Sequence, residues 1–126
     1  LTFARVDRMQ TSQATVTTTR PERYGKQLAS HFSRKVEAEW SDDDCEGAIN
    51  FQAHDGIEGA RCTLSAGEGV LHMRIDGTSH AVERFEPVVG SHLARFGARD
   101  GLEVQWQRDN GPGQSFMASE PDAPGR

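Results

Sequence analysis

The stretch RPERYGKQLASHFSRK, positions 20–35, decides how this chain is read. Pro21 suits the first turn of a helix, because its fixed φ fits and its missing N–H has no intrahelical partner there. Thr19 or Arg20 then lies at the cap, and Thr is the better capping residue. At about 100° per residue, Tyr24, Leu28 and Phe32 fall on one stripe, with Ala29 and Val36 beside it. That stripe is the core face. Gln27, His31 and Arg34 line one edge of it, and Arg20 reaches the same edge from the helix start; Arg23, Lys26 and Ser30 point away. One flank thus offers a guanidinium, an amide, an imidazole and a phenol tip. Such a set grips a carboxylate or phosphate. Its bland counterpart is a cationic solvated face that balances Glu37 and Glu39.

Working outward, residues 12–19 (SQATVTTT) are β-branched and place Ala14, Val16 and Thr18 on one side, which predicts a first strand. Beyond the helix, Val36, Ala38 and Trp40 alternate with Glu37 and Glu39. The acidic segment 41–47 (SDDDCEG) reads as a hairpin turn; it lacks the alternating ligands and late Glu of a calcium loop. Residues 48–53, 60–66 and 70–76 continue the alternation through Ile49, Phe51, Cys62, Leu64, Leu71, Met73 and Ile75, with turns at His54-Asp55-Gly56 and Gly67-Glu68-Gly69. Short turns imply antiparallel pairing. A second helix is capped by Thr78 or Ser79 and keeps Ala81, Phe85, Val89, His92 and Phe96 on one stripe. Pro87 inside it implies a kink or two short helices meeting, and Gly97 is a good terminator. Leu102, Val104 and Trp106 define the last strand, over 102–107.

The order β-α-β-β-β-β-α-β predicts an α+β, two-layer sandwich: one mainly antiparallel sheet of about six strands, with both helices on its apolar face. The order is similar to the TATA-binding-protein-like topology, a likeness that carries no DNA-binding function. Residues 1–8 read as an unstructured leader, 9–108 as a single domain, and 109–126, rich in Gly, Pro and Ser, as a flexible tail.

Composition excludes several functions. A chain of 126 residues suits one domain, and a net charge of −5 argues against general nucleic-acid binding. The outward sheet face (Glu37, Asn50, Arg61, His72, Arg74, Gln105 among others) lacks the aromatics that stack bases. No apolar run is long enough to span a membrane, and residues 1–8 show no signal-peptide core. Cys45 and Cys62 are too few and too separated for a metal knuckle and are expected to be reduced thiols in a cytoplasmic protein. No cofactor motif is present.

His92 lies near the middle of the second apolar stripe, so it is either a core imidazole bonded to a carbonyl or a partner of His31 at a helix–helix seam. Ser30-His31-Phe32 and Ser91-His92-Leu93 repeat one local frame, each followed by basic side chains. A histidine pair can hold a metal, but the sequence names no third ligand. As a general base, either histidine lacks a nucleophile: Ser30 and Ser91 are i, i+1 neighbours and do not face the rings.

The segments ATVTT (14–18), RPERYGKQLASHFSRK (20–35) and VVGSHLARFGARDGLEVQW (88–106) resemble the bacterial domain-of-unknown-function family DUF2218 over roughly residues 12–108. Positions matching the family's wording are Arg23, Tyr24, Lys26, Gln27, Leu28, Ser30, His31, Arg34 and Lys35, with His92, Leu93, Arg95 and Phe96. The resemblance brings no catalytic residue. It implies an association with siderophore-interacting flavin reductases, and hence with iron–siderophore handling. The expected function is a non-catalytic binding module for a small anionic or metal-chelate ligand, with Arg20, Arg23, Tyr24, Lys26, Gln27, His31, Arg34, His92 and Arg95 as its candidate site. The alternative is an interaction module, either a homodimer or a partner of such a reductase.

Overall fold

Alternation of buried and exposed residues along each strand gives the sheet one apolar face. In the computed structural model, which describes residues 9–53 and 58–117, the elements are β1 (Met9–Thr17), α1 (Pro21–Phe32), β2 (Glu37–Ser41), β3 (Glu46–Phe51), β4 (Ala60–Gly67), β5 (Val70–Thr78), α2 (Ser79–Phe96), β6 (Glu103–Arg108) and β7 (Gly111–Met117). A single 3₁₀ turn, Ala98–Asp100, joins α2 to β6. The strands form one antiparallel sheet in the order β2-β3-β4-β5-β1-β6-β7. The predicted meander is the run β2-β3-β4-β5, and β1 joins it to the β6–β7 hairpin.

Both helices lie on the apolar face. Leu28 and Ala29 of α1 and Val82, Val89 and Leu93 of α2 share one core with Val16, Ile49, Leu64, Leu71, Met73, Ile75 and Val104 of the sheet. On the opposite face the polar side chains bond to one another: Arg61 Nη1 donates to Asn50 Oδ1 at 2.9 Å, and Arg74 Nε donates to the Asp76 carboxylate at 3.0 Å. This is the solvated mixed-charge face expected from the alternation.

Several boundaries differ from expectation for physical reasons. β1 begins at Met9 rather than residue 12, because its pairing with β5 continues as far as Met9↔Thr78. Arg20, not Thr19, caps α1, without a side-chain cap bond; its own N–H donates to Thr18 Oγ1 at 3.0 Å. Thr78 is the cap of α2, accepting from the Ala81 N–H at 3.1 Å. Gly97 ends α2 outside the left-handed region, at φ −100°, so its freedom at positive φ is not what is used. A Cβ there would lie 2.3 Å from the Leu102 side chain, so glycine is needed for close approach.

Neither the sheet of six strands nor the tail from residue 109 holds. Gly111–Met117 forms a seventh strand paired with β6. The leader 1–8, the turn at 54–56 and residues 118–126 lie outside the described residues. Nor does α2 divide at Pro87: it runs unbroken from Ser79 to Phe96. Proline lacks the N–H that would bond the Glu83 carbonyl. Gln114 Nε2 of β7 donates to that carbonyl instead, at 3.0 Å. The unexpected strand therefore satisfies the helix at the residue where a kink or a division was expected.

Candidate functional site

The candidate flank divides into three places. At the start of α1, Tyr24 is buried and its hydroxyl donates to Asp100 Oδ2 at 2.5 Å, tying the helix to the turn before β6. Burial, then the Asp100 carboxylate, pushes the phenol above its usual pKa, although Arg20 and Arg23 pull the other way. That phenol is engaged within the fold. Lys26 lies at another place, beside the acidic β2–β3 turn, 3.4 Å from Asp42 in an exposed ion pair. Gln27 is exposed.

The third place is the seam between the end of α1 and α2, where the sequence echo becomes a contact. The rings of His31 and His92 have centroids 4.8 Å apart and are tilted by 40°. Phe32 packs edge-on to both imidazoles, 5.2 Å from each, and Phe96 packs edge-on to His31 at 5.4 Å. His92 is half-buried and His31 exposed. His92 Nδ1 lies 2.6 Å from the Val88 carbonyl. A carbonyl only accepts, so Nδ1 carries the proton and donates, and Nε2 makes no bond among the described residues. His31 makes no hydrogen bond among the described residues. Partial desolvation, then His92, Arg34, Lys35 and Arg95, hold its pKa below the ordinary imidazole range. The seam thus brings His31, His92, Arg34 and Arg95 of the candidate set within one field, and Lys35 joins them. A cavity of about 590 Å³ runs from Arg34 and Lys35 to Gln52 and Ala53 at the end of β3.

The sequence reading missed a second polar group on α2. Glu86 is fully buried and accepts five hydrogen bonds: from Ser12 Oγ at 2.7 Å, Arg108 Nε at 2.9 Å, Arg108 Nη2 at 2.8 Å, the Gln114 N–H at 3.1 Å and Gln114 Nε2 at 3.0 Å. Burial alone would push this carboxyl up, but these hydrogen bonds outweigh it and hold the pKa below the usual range. The available signal was position: Val82, Glu86, Val89 and Leu93 fall on one helical stripe, and a carboxylate there needs a buried partner.

An antiparallel sheet covered on one face by two helices, with a polar seam between the helices, defines a small two-layer α+β domain. The sequence pattern of the family described as "Uncharacterized protein conserved in bacteria (DUF2218)" matches residues 13–107, and the chain belongs to that family. A solved structure, described as "NMR structure of PA4090 from Pseudomonas aeruginosa", is similar at 27% identity and a TM-score of 0.57, covering 77% of this chain and 94% of that one. Comparison with curated proteins returned no match.

Proposed function

We propose that this domain is a non-catalytic binding module for a small anionic or metal-chelate ligand, held at the α1–α2 seam. One observation carries the reading: two imidazoles meet there, and the charges of Arg34, Lys35 and Arg95 act on His31. Among the described residues no group of three or more His, Cys, Asp or Glu side chains is placed to hold a metal ion. Arg34, Lys35 and Arg95 outnumber Glu37, the carboxylate that lines the neighbouring cavity, and this excess of positive charge favours a ligand that brings negative charge. The neighbouring cavity at Arg34 gives such a ligand room. Arg20, Arg23, Tyr24, Lys26 and Gln27 stay outside the proposal, since Tyr24 and Lys26 are engaged elsewhere and nothing draws the other three to the seam.

A thermal-shift panel on the full chain tests this, with phosphate, citrate, a ferric siderophore, FAD and NADPH. A ligand that binds only the folded state raises Tm, with the logarithm of its concentration once that exceeds Kd. The expected result is a concentration-dependent shift for one class of anion, reduced in Arg34→Ala and Arg95→Ala. A flat panel contradicts it. The iron–siderophore association and the reductase partner implied by the family resemblance rest on the siderophore arm. A cytoplasmic location goes with the proposal, supported by the free thiols of Cys45 and Cys62; no helix among the described residues is long and apolar enough to cross a membrane. The TATA-binding-protein-like layout is proposed for topology alone.

A second reading draws on β7. It is an edge strand without a charged residue, and Met117 at its end is 62% exposed. Uncharged edges invite pairing, so the interaction-module reading takes a second copy along β7. Light scattering across a concentration series tests the second copy, because a strict monomer leaves the ligand reading and the reductase partner.

A further inference from the structure

We infer that the α1–α2 seam takes a coordinatively open, anionic chelate of an imidazole-preferring divalent metal, with His31 and His92 filling the positions its chelator leaves free. This rests on the anion-binding reading above and names the class of ligand. Three features of the seam carry it.

The first is spacing. A metal–imidazole bond is about 2.0–2.1 Å, so the centroids of rings on adjacent positions of one ion lie about 4.5–5.2 Å apart. The observed centroid separation is 4.8 Å. The second is the bond behind the ring. Histidines that bind metals almost always donate the other ring N–H to a carbonyl, carboxylate or water, which fixes tautomer and orientation. His92 already does so, through Nδ1 to the Val88 carbonyl at 2.6 Å, and Nε2 is the nitrogen left for a metal. The third is what the seam lacks. No third ligating side chain gathers with the pair among the described residues, so the remaining positions must be filled from outside. Arg34, Lys35 and Arg95 repel a bare cation and attract one already wrapped in an anionic chelator. Imidazole donors favour zinc, nickel or copper over calcium or magnesium.

The test uses the full chain without an added histidine tag, and isothermal titration with three probes: Ni(II)–nitrilotriacetate, Ni(II)–EDTA and metal-free nitrilotriacetate. The nitrilotriacetate complex is anionic and leaves a pair of adjacent positions open. The EDTA complex is anionic with its positions filled. We expect saturable one-to-one binding of the nitrilotriacetate complex alone. His31→Ala and His92→Ala each weaken it by more than about tenfold, the smallest loss that even a supporting partner of a metal ligand produces. His72→Ala leaves it unchanged. Electron paramagnetic resonance of Cu(II)–iminodiacetate, a neutral chelate that reads coordination apart from charge, gives a second readout on the unaltered chain: coupling to a pair of imidazole nitrogens. Equal binding of the EDTA complex overturns coordination and leaves anion recognition standing. Binding of metal-free nitrilotriacetate as tight as that of its nickel complex overturns the role of the metal and leaves anion recognition standing. Silence from all three probes overturns this inference, while a citrate or phosphate shift in the thermal panel would still uphold the broader reading.

Discussion

Two polar groups interrupt the apolar side of α2, and the fold treats them in opposite ways. Glu86 is sealed from solvent, and its two oxygens accept five hydrogen bonds from β1, β6 and β7. His92, less than two turns later, makes one bond to its own helix and shares an open seam with His31, which makes none among the described residues. A buried polar group costs free energy unless its bonding capacity is filled. Glu86 meets that condition with protein alone, so it acts as a fastener for the β6–β7 hairpin. Among the described residues nothing bonds the remaining nitrogen lone pairs of the histidines, and that is the condition for meeting a ligand. Satisfaction, rather than charge, separates the structural cluster from the functional candidate.

The comparison breaks most easily at Glu86. Glu86→Ala removes one partner of a buried ion pair and is expected to cost about 3–5 kcal/mol, because it leaves Arg108 with an uncompensated charge. Urea denaturation measures it; a loss below about 1 kcal/mol would show that the network is not a fastener. Gln114→Ala comes next. It strands the Glu83 carbonyl that Pro87 cannot serve and removes one donor to Glu86, at an expected cost of about 1–3 kcal/mol. Hydrogen exchange should then rise first along β7.

Acid sharpens the same contrast. The folded carboxyl of Glu86 sits below its unfolded value. Its contribution is therefore fully present above the unfolded value of about 4.3 and is lost as pH falls through the depressed folded value. Stability of the unaltered chain should drop more steeply below about pH 4 than that of Glu86→Gln, measured by urea midpoints across pH. Parallel curves would contradict the assignment. The smallest effect is expected at the seam. His31→Ala removes ring contacts with Phe32 and Phe96 from an exposed position and should cost about 1 kcal/mol or less. It should nevertheless abolish the ligand-dependent Tm shift.

What the sequence made legible follows from range. The strands of the meander and both helical stripes rest on local periodicity, and each appears where alternation or helical spacing places it. β7 was hidden because GPGQSFM has the composition of a tail. Its order comes from distant partners: Gln114 reaches Glu86, and Phe116 packs against the core beside Gly90. The candidate site divides along the same line. The local echo offers His31 and His92 as partners, beside a carbonyl-bonded His92, and both readings hold: the rings meet and Nδ1 bonds the Val88 carbonyl. Tyr24 was assigned to the same flank, but its hydroxyl bonds to Asp100, on a turn whose position no helical wheel of α1 can reveal. Glu86 was passed over because periodicity ranks residues by hydrophobicity and does not show where a carboxylate finds its guanidinium.

The most direct measurement is a nitrogen-15 NMR titration of the imidazole side chains with citrate on the full chain. The account predicts that the His31 and His92 resonances move together and saturate, while those of His72 and His80 stay still. Resonances that all remain fixed, or that all drift in proportion to added salt, would contradict a binding site at the seam.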